Sequence, residues 1–186
     1  MPDRVMTQCF DCHAGEATRN GALNLPALHP GITCERCHGA ADAHLRGQDA
    51  PRHLGGLDAG QMSEFCGQCR RTFSNIMLNG PRGILNVRFQ PYRLAGSRCF
   101  DPADPRIRCT ACHDPHVDVA RGAASYDSKC QACHSGAARK AKAKDCSVSN
   151  TKCATCHMPR TELPDGHISF ADYYIRVVRP GDSYAE

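Results

Sequence analysis

The tightest constraint on this chain is a five-residue frame that recurs: CFDCH at Cys9–His13, CERCH at Cys34–His38, CTACH at Cys109–His113, CQACH at Cys130–His134 and CATCH at Cys153–His157. The two interior letters vary, while Cys, Cys and His hold their places. A sixth stretch, CGQCR at Cys66–Arg70, keeps both Cys and puts Arg where the others have His. Twelve of the 14 Cys fall in these pairs. Cysteines three positions apart close only small loops, so a disulfide framework of the kind that staples small secreted domains is a poor reading.

In a c-type haem site two thiols add to the porphyrin vinyl groups, and the His directly after the second Cys turns under the ring to bind iron, which is why Cys-x-x-Cys-His marks haem attachment. A tetrahedral zinc site combines two Cys pairs, or one pair with spaced His, and has no use for a His directly after every second Cys. A thioredoxin-like redox pair occurs once, beside a βαβ pattern, and no such pattern is visible. The expected cofactor is therefore haem c in five copies. Cys9, Cys12, Cys34, Cys37, Cys109, Cys112, Cys130, Cys133, Cys153 and Cys156 form the thioethers, and His13, His38, His113, His134 and His157 bind iron. The intervals between motifs are too irregular for a solenoid repeat.

Haem also answers a difficulty of composition. Leu, Ile, Val and Phe together supply 29 of 186 residues, about 16%, too few for a chain that folds on its own apolar side chains. Five macrocycles fill that interior, and the chain without them is expected to be largely unfolded. The formal charge of +4 is offset by about ten haem propionates. Many Lys and Arg then serve as propionate partners, and nucleic acid is not an expected ligand. No stretch has the apolar length of a membrane span. Met1–Thr7 has neither the charged start nor the apolar run of an export signal, so a mature form of an exported protein, or one with a trimmed or mis-assigned N-terminus, is expected.

Ten His are present, and the five outside the motifs are His29, His44, His53, His116 and His167, enough to give every iron a second imidazole. Iron closed on both faces suits electron transfer rather than substrate binding. His44 and His116 follow motif His residues by six and three positions, and a neighbouring haem is their natural target. His167 follows the last motif by ten. His29, beside Pro30, and His53, after Pro51, fit the role of exposed loop His almost as well. Met62, Met77 and Met158 are alternative axial ligands, although Met in a helical pattern is more often packing.

Loops rich in Gly, Pro, Asp and Ser, with little strand-like alternation, predict a mainly α fold with much irregular coil. Short helices would pack around covalently attached haems, with little or no β-sheet, in one domain over residues 1–186. Met62, Phe65, Cys66, Cys69, Phe73 and Ile76 share one helical face, with Ser63 as N-cap and Asn79-Gly80-Pro81 as the stop. The run AARKAKAK over 137–144 reads as an exposed basic helix. Cys99 and Cys146, outside all motifs, are expected to pair as a disulfide in an oxidising compartment, with two free buried thiols as the alternative.

The segments GITCERCHGAADAH, VRFQPYRLAGSRCFDP, RCTACHDPH and CATCHMPRTELPDGHISFADYYIRVVRP resemble the multihaem cytochrome c modules often joined to tetratricopeptide repeats. More distantly, CHDPH is similar to the superfamily of tetrahaem electron carriers, pentahaem nitrite reductases and octahaem hydroxylamine oxidoreductases. The resemblance implies an exported electron-transfer protein acting in the periplasm or outside the cell. Its expected partners are redox proteins or other cytochromes, with a homo-oligomer or filament as a further form. Where that family commonly has CGxCH this chain has Arg70, and where it commonly has an FTDH-like ending this chain has Tyr173. Loss of both ligands implies loss of the haem at Cys66/Cys69, because Arg donates hydrogen bonds only and offers iron no lone pair. The alternatives are a haem still attached there as an open site, acting on a small nitrogen or sulfur compound, and a module of a polymeric electron conduit. No catalytic residue is assigned.

Overall fold

The computed structural model of the chain describes residues 7, 10, 12–15, 17–20, 22–135, 146–164 and 168–185. They fall into two units, Met1–Leu57 and Asp58–Glu186. The architecture is the expected one, short helices in much coil with brief strands. Among the described residues no helix is long and apolar enough to cross a membrane.

In the first unit the CERCH motif is itself a helix, α1 (Cys34–His38). It stops at Gly39, whose φ of +84° disfavours a side chain, and whose N–H bonds Glu35 O at 2.9 Å. The Glu35 carboxylate accepts from Ala41 N at 3.0 Å, and α2 (Asp42–Leu45) follows. Upstream, Ala14–Gly15 pairs antiparallel with His29–Pro30, and Thr18–Arg19 with Ala22–Leu23.

The second unit opens with α3 (Ala59–Arg70). Its N-cap is Asp58 rather than Ser63: the Asp58 carboxylate accepts from Gln61 N at 2.7 Å, and the Gln61 side chain accepts from Asp58 N at 3.0 Å. This reciprocal box satisfies two orphan donors at once, whereas Ser63 lies inside the helix. The single apolar face is also broken. Arg71 takes φ +62°, and Thr72 caps a second helix, α4 (Phe73–Asn79), which ends at Gly80 as expected. Gly67 permits the fold-back. A Cβ there would meet the Thr72 backbone at 3.0–3.1 Å and its methyl at 2.8 Å. Gly67→Ala is expected to cost about 1–3 kcal/mol through overpacking. Urea unfolding of the haem-loaded protein checks this, and an unchanged midpoint would remove Gly67 from the account.

Next come a 3₁₀ segment (Gly83–Arg88), α5 (Gln90–Ala95), α6 (Cys109–Cys112), a second 3₁₀ turn (Ala123–Tyr126), α7 (Asp127–His134) and α8 (Cys153–His157). Arg160–Glu162 pairs antiparallel with Ser169–Ala171. Helix α3 packs on α5 and α6, and α8 on α7 and the second 3₁₀ turn.

Buried apolar side chains are few among the described residues: Ala17, Ala59, Met62, Ile76 and Val87. The most enclosed tie of the second unit is ionic. Arg93 Nε and Nη2 donate to the Asp172 carboxylate at 2.8 and 2.9 Å, and Arg176 Nη1 adds a third bond at 2.6 Å. Arg93 is 3% exposed and Asp172 fully enclosed. The Arg93 guanidinium also lies 4.6 Å from the Tyr184 ring and 5.1 Å from the Tyr174 ring. Ser97 Oγ donates to Tyr173 O and accepts from Ile175 N, both at 2.8 Å. The segment 172–176 is thereby stitched to α5 and the turn after it.

Candidate functional site

In the first unit Cys34, Glu35, His38, Gly39, Ala41, His44 and Pro51 line a cleft of about 280 Å³. One thiol and two imidazoles thus share one concavity, with α1 presenting Cys34 and His38, and α2 presenting His44. His38 Nδ1 donates to Arg52 O at 2.9 Å, and His44 Nδ1 to Asp49 O at 3.2 Å. A carbonyl only accepts, so in either ring's neutral form the proton sits on Nδ1 and the lone pair on Nε2. That is the tautomer an iron ligand needs, held by the outer partner that metal-binding His generally has. In the second unit His157 repeats the device, with Nδ1 on Arg176 O at 2.9 Å. His116 Nδ1 approaches the Asp114 carboxylate at 3.2 Å. Thiols and imidazoles in these tautomers are the donor set of a c-type haem, and the residues fit that group.

The four Cys pairs of the second unit converge. The Cys66 and Cys109 thiols hydrogen-bond each other, as do those of Cys130 and Cys153, so the first Cys of one motif meets the first Cys of the next in both cases. Cys112 and Cys133 are near enough to interact electrostatically and join the two pairs. The bond to Cys109, then burial, push the Cys66 thiol up, and receiving that bond brings Cys109 down. Burial first, then the nearby Cys153, push Cys130 up to about 12.

His113 has a different setting. Its Nε2 meets the Tyr173 hydroxyl at 2.9 Å, its Nδ1 lies 3.5 Å from the Tyr126 hydroxyl, and both phenol rings flank the imidazole. Burial, then the Arg70 charge, lower its pKa and favour the neutral ring, whose Nε2, the atom an iron would take, here faces the Tyr173 hydroxyl. Burial pushes Tyr173 up to about 12, so its hydroxyl remains a donor, and Arg70 lies near enough to act on it. The two departures from the family pattern, Arg70 and Tyr173, therefore come together at one motif although 103 positions separate them.

The other candidates are dispersed. His13, His29, His53 and His134 are exposed, and His29 stands opposite Gly15 in a strand pairing. Met62 is buried in α3 as packing, and Met77 is exposed. Cys9, His167 and the run 137–144 lie outside the described residues. The expected disulfide is not formed: Cys99 and Cys146 both carry unoxidised thiols. The Cys146 sulfur instead accepts from the backbone N–H of Ser149 and Val148, which lowers its pKa.

Two residues that no motif announces hold this site. Asp127 accepts from Lys152 N at 2.6 Å and Cys153 N at 2.8 Å, and so caps α8 from the start of α7. Asp172, in the Arg93 cluster, places Tyr173 beside His113, while its own N–H bonds Pro159 O at 2.9 Å just past α8. Both contacts span long sequence separations, and acidic residues are too common for composition to point to them.

The family of cytochrome c554 and c-prime matches residues 2–39, the stretch that holds the first two motifs. The dissimilatory sulfite reductase MccA of Wolinella succinogenes is 28% identical over 175 residues. That match covers 74% of this chain and 23% of the relative, so the chain spans less than a quarter of that protein's length. No solved structure matches. Together with the five motifs and the donor geometry, these likenesses identify a multihaem cytochrome c module. Covalently bound haem c is the cofactor of that class.

Proposed function

We propose that this chain passes electrons between redox partners outside the cytoplasm, using five haems attached at Cys9–His13, Cys34–His38, Cys109–His113, Cys130–His134 and Cys153–His157 within one multihaem domain. Haem iron supplies one-electron chemistry, and the protein spaces the centres, closes their coordination and tunes their potentials. The observation that carries this reading is the approach of the Cys109/Cys112, Cys130/Cys133 and Cys153/Cys156 pairs in the second unit, which puts attachment points side by side as an electron path requires. The Nδ1 anchoring of His38, His44 and His157 supports imidazole ligation. His29, His53, His116 and His167 complete the proposed second ligands, and Cys66/Cys69 carry no haem because Arg70 cannot bind iron.

Intact-mass analysis of protein matured in an export-competent host is expected to show five haem additions, and its visible spectrum to ignore carbon monoxide. A colourless product would end the proposal. Six additions would restore a haem to Cys66/Cys69.

A second reading rests on Arg70, Tyr173 and Tyr126 around His113. A permanent cation beside a protonated phenol suits a small oxyanion such as the sulfite named for the relative, with an open iron face at that motif. Here one of the five haems would shift its spectrum with carbon monoxide or cyanide, and Tyr173→Phe would weaken sulfite-dependent oxidation of the reduced protein. A spectrum indifferent to both ligands leaves electron transfer alone.

A further inference from the structure

The Cys130–His134 and Cys153–His157 segments are joined by more than packing. Asp127 is the first residue of α7, three positions before Cys130, and is 8% exposed. One carboxylate oxygen accepts from Lys152 N at 2.6 Å and the other from Cys153 N at 2.8 Å. No side chain of α8's own N-terminal residues caps that helix, since its N-cap is Lys152, held in the left-handed region at φ +55°. A non-glycine residue there is uncommon and persists where its surroundings impose it. Gln131 Nε2, one turn further along α7, adds a bond to Asn150 O at 2.6 Å. The second haem segment therefore begins at the acidic residue that opens the first one's helix.

We propose that Asp127 is the positioning residue that fixes the Cys153–His157 haem seat against the Cys130–His134 seat and places one shared negative charge between them. This rests on the reading that both motifs carry haem. The geometry sets three consequences. The two attachment helices keep one relative placement, because the carboxylate grips consecutive backbone N–H groups and leaves α8 little freedom to turn. The backbone donors at Lys152 and Cys153 are satisfied from outside their own helix, so the grip is lost if Asp127 is shortened. And a carboxylate at the start of both attachment helices would favour the oxidised, more positive state of haem held there, which would lower both potentials. The first two consequences are structural, whereas the third is seen only in the redox titration.

The test uses the haem-loaded protein and its Asp127→Asn variant, each first checked by intact mass for haem at all attachment motifs. In a spectroelectrochemical titration two midpoints are expected to move to higher potential in the variant, with the rest unmoved, because the amide keeps the size of the side chain and removes its charge. Asp127→Glu, which restores the charge, is expected to return those two midpoints toward the parent values. In the parent protein, amide hydrogen exchange at Lys152 and Cys153 is expected to be slow. Midpoints unchanged in Asp127→Asn, or fast exchange at both amides, would overturn the inference. A parent protein that lacks haem at Cys130 and Cys153 would instead overturn the functional reading beneath it.

Discussion

Produced without haem attachment, the chain is expected to show no cooperative unfolding transition, whereas the haem-loaded protein melts as a defined state. The described residues enclose only Ala17, Ala59, Met62, Ile76 and Val87 as apolar side chains, and two of those are alanine. Hydrophobic burial scales with apolar area removed from water, at about 25 cal/mol per Å². Five side chains of this size fall far short of offsetting the conformational entropy of ordering a chain of 186 residues. Large exposed apolar side chains are meanwhile plentiful, Leu45 at 80% and Ile32 at 64% among them, which stand next to His44 and two positions before Cys34 in the sequence. A porphyrin edge is the kind of surface that would cover such groups. Calorimetry on protein expressed in a compartment without haem attachment, compared with exported protein, checks this. A sharp, reversible transition in the haem-free sample would show that the polypeptide carries its own core, and the account of the fold would fail.

The second large effect is expected at Asp172. Asp172→Ala removes the acceptor of three hydrogen bonds from Arg93 and Arg176 and leaves the enclosed Arg93 charge without its partner. Breaking a buried pair in this way costs about 3–5 kcal/mol, a large share of an ordinary domain's stability. It should also release Tyr173 from His113, because the chain at 172–176 is held to α5 through the same cluster. The loss is therefore expected both in urea unfolding and in the spectrum of the haem at Cys109–His113. The pH dependence has a definite sign. Burial alone would raise the Asp172 pKa, but the bonds from Arg93, Tyr174 N and Arg176 outweigh it, and the folded value is depressed. A carboxyl depressed on folding contributes stability that is fully present above its unfolded pKa of about 3.9 and is lost as pH falls through the folded value. The parent protein should accordingly lose stability relative to Asp172→Ala below about pH 4. Parallel acid curves for the two proteins would show that the cluster is not a net source of stability.

Both expectations lie at the boundary between what one-dimensional reading reaches and what it does not. The haem motifs are legible because the chemistry is local: thioether spacing and the adjacent imidazole are set within five residues, whatever the rest of the chain does. The mainly α, coil-rich architecture is legible for a related reason, since a shortage of aliphatic residues and an abundance of Gly and Pro limit helix length everywhere. Cap positions are less so. Ser63 and Asp58 are both good N-caps by type, and only the reciprocal bond with Gln61 distinguishes them. The break after Arg70 escaped the helical pattern because apolar spacing continues through Phe73 and Ile76, while the cause is a close approach of Thr72 to Gly67. Cys99 and Cys146 show the limit of counting, since two leftover thiols in one chain need not meet.

By itself, then, the amino-acid order determined the cofactor class and the kind of fold and marked the proposed attachment points, because each depends on covalent or near-neighbour chemistry. Only the tertiary structure decided which motifs stand together, that Arg70 and Tyr173 converge on His113, that His38 and His44 share a cleft, and that Asp127 and Asp172 hold the arrangement. Those are contacts across tens of residues. A carboxylate's partner at such a distance is selected by burial and by the backbone donors that happen to face it, and neither leaves a periodic trace in the chain.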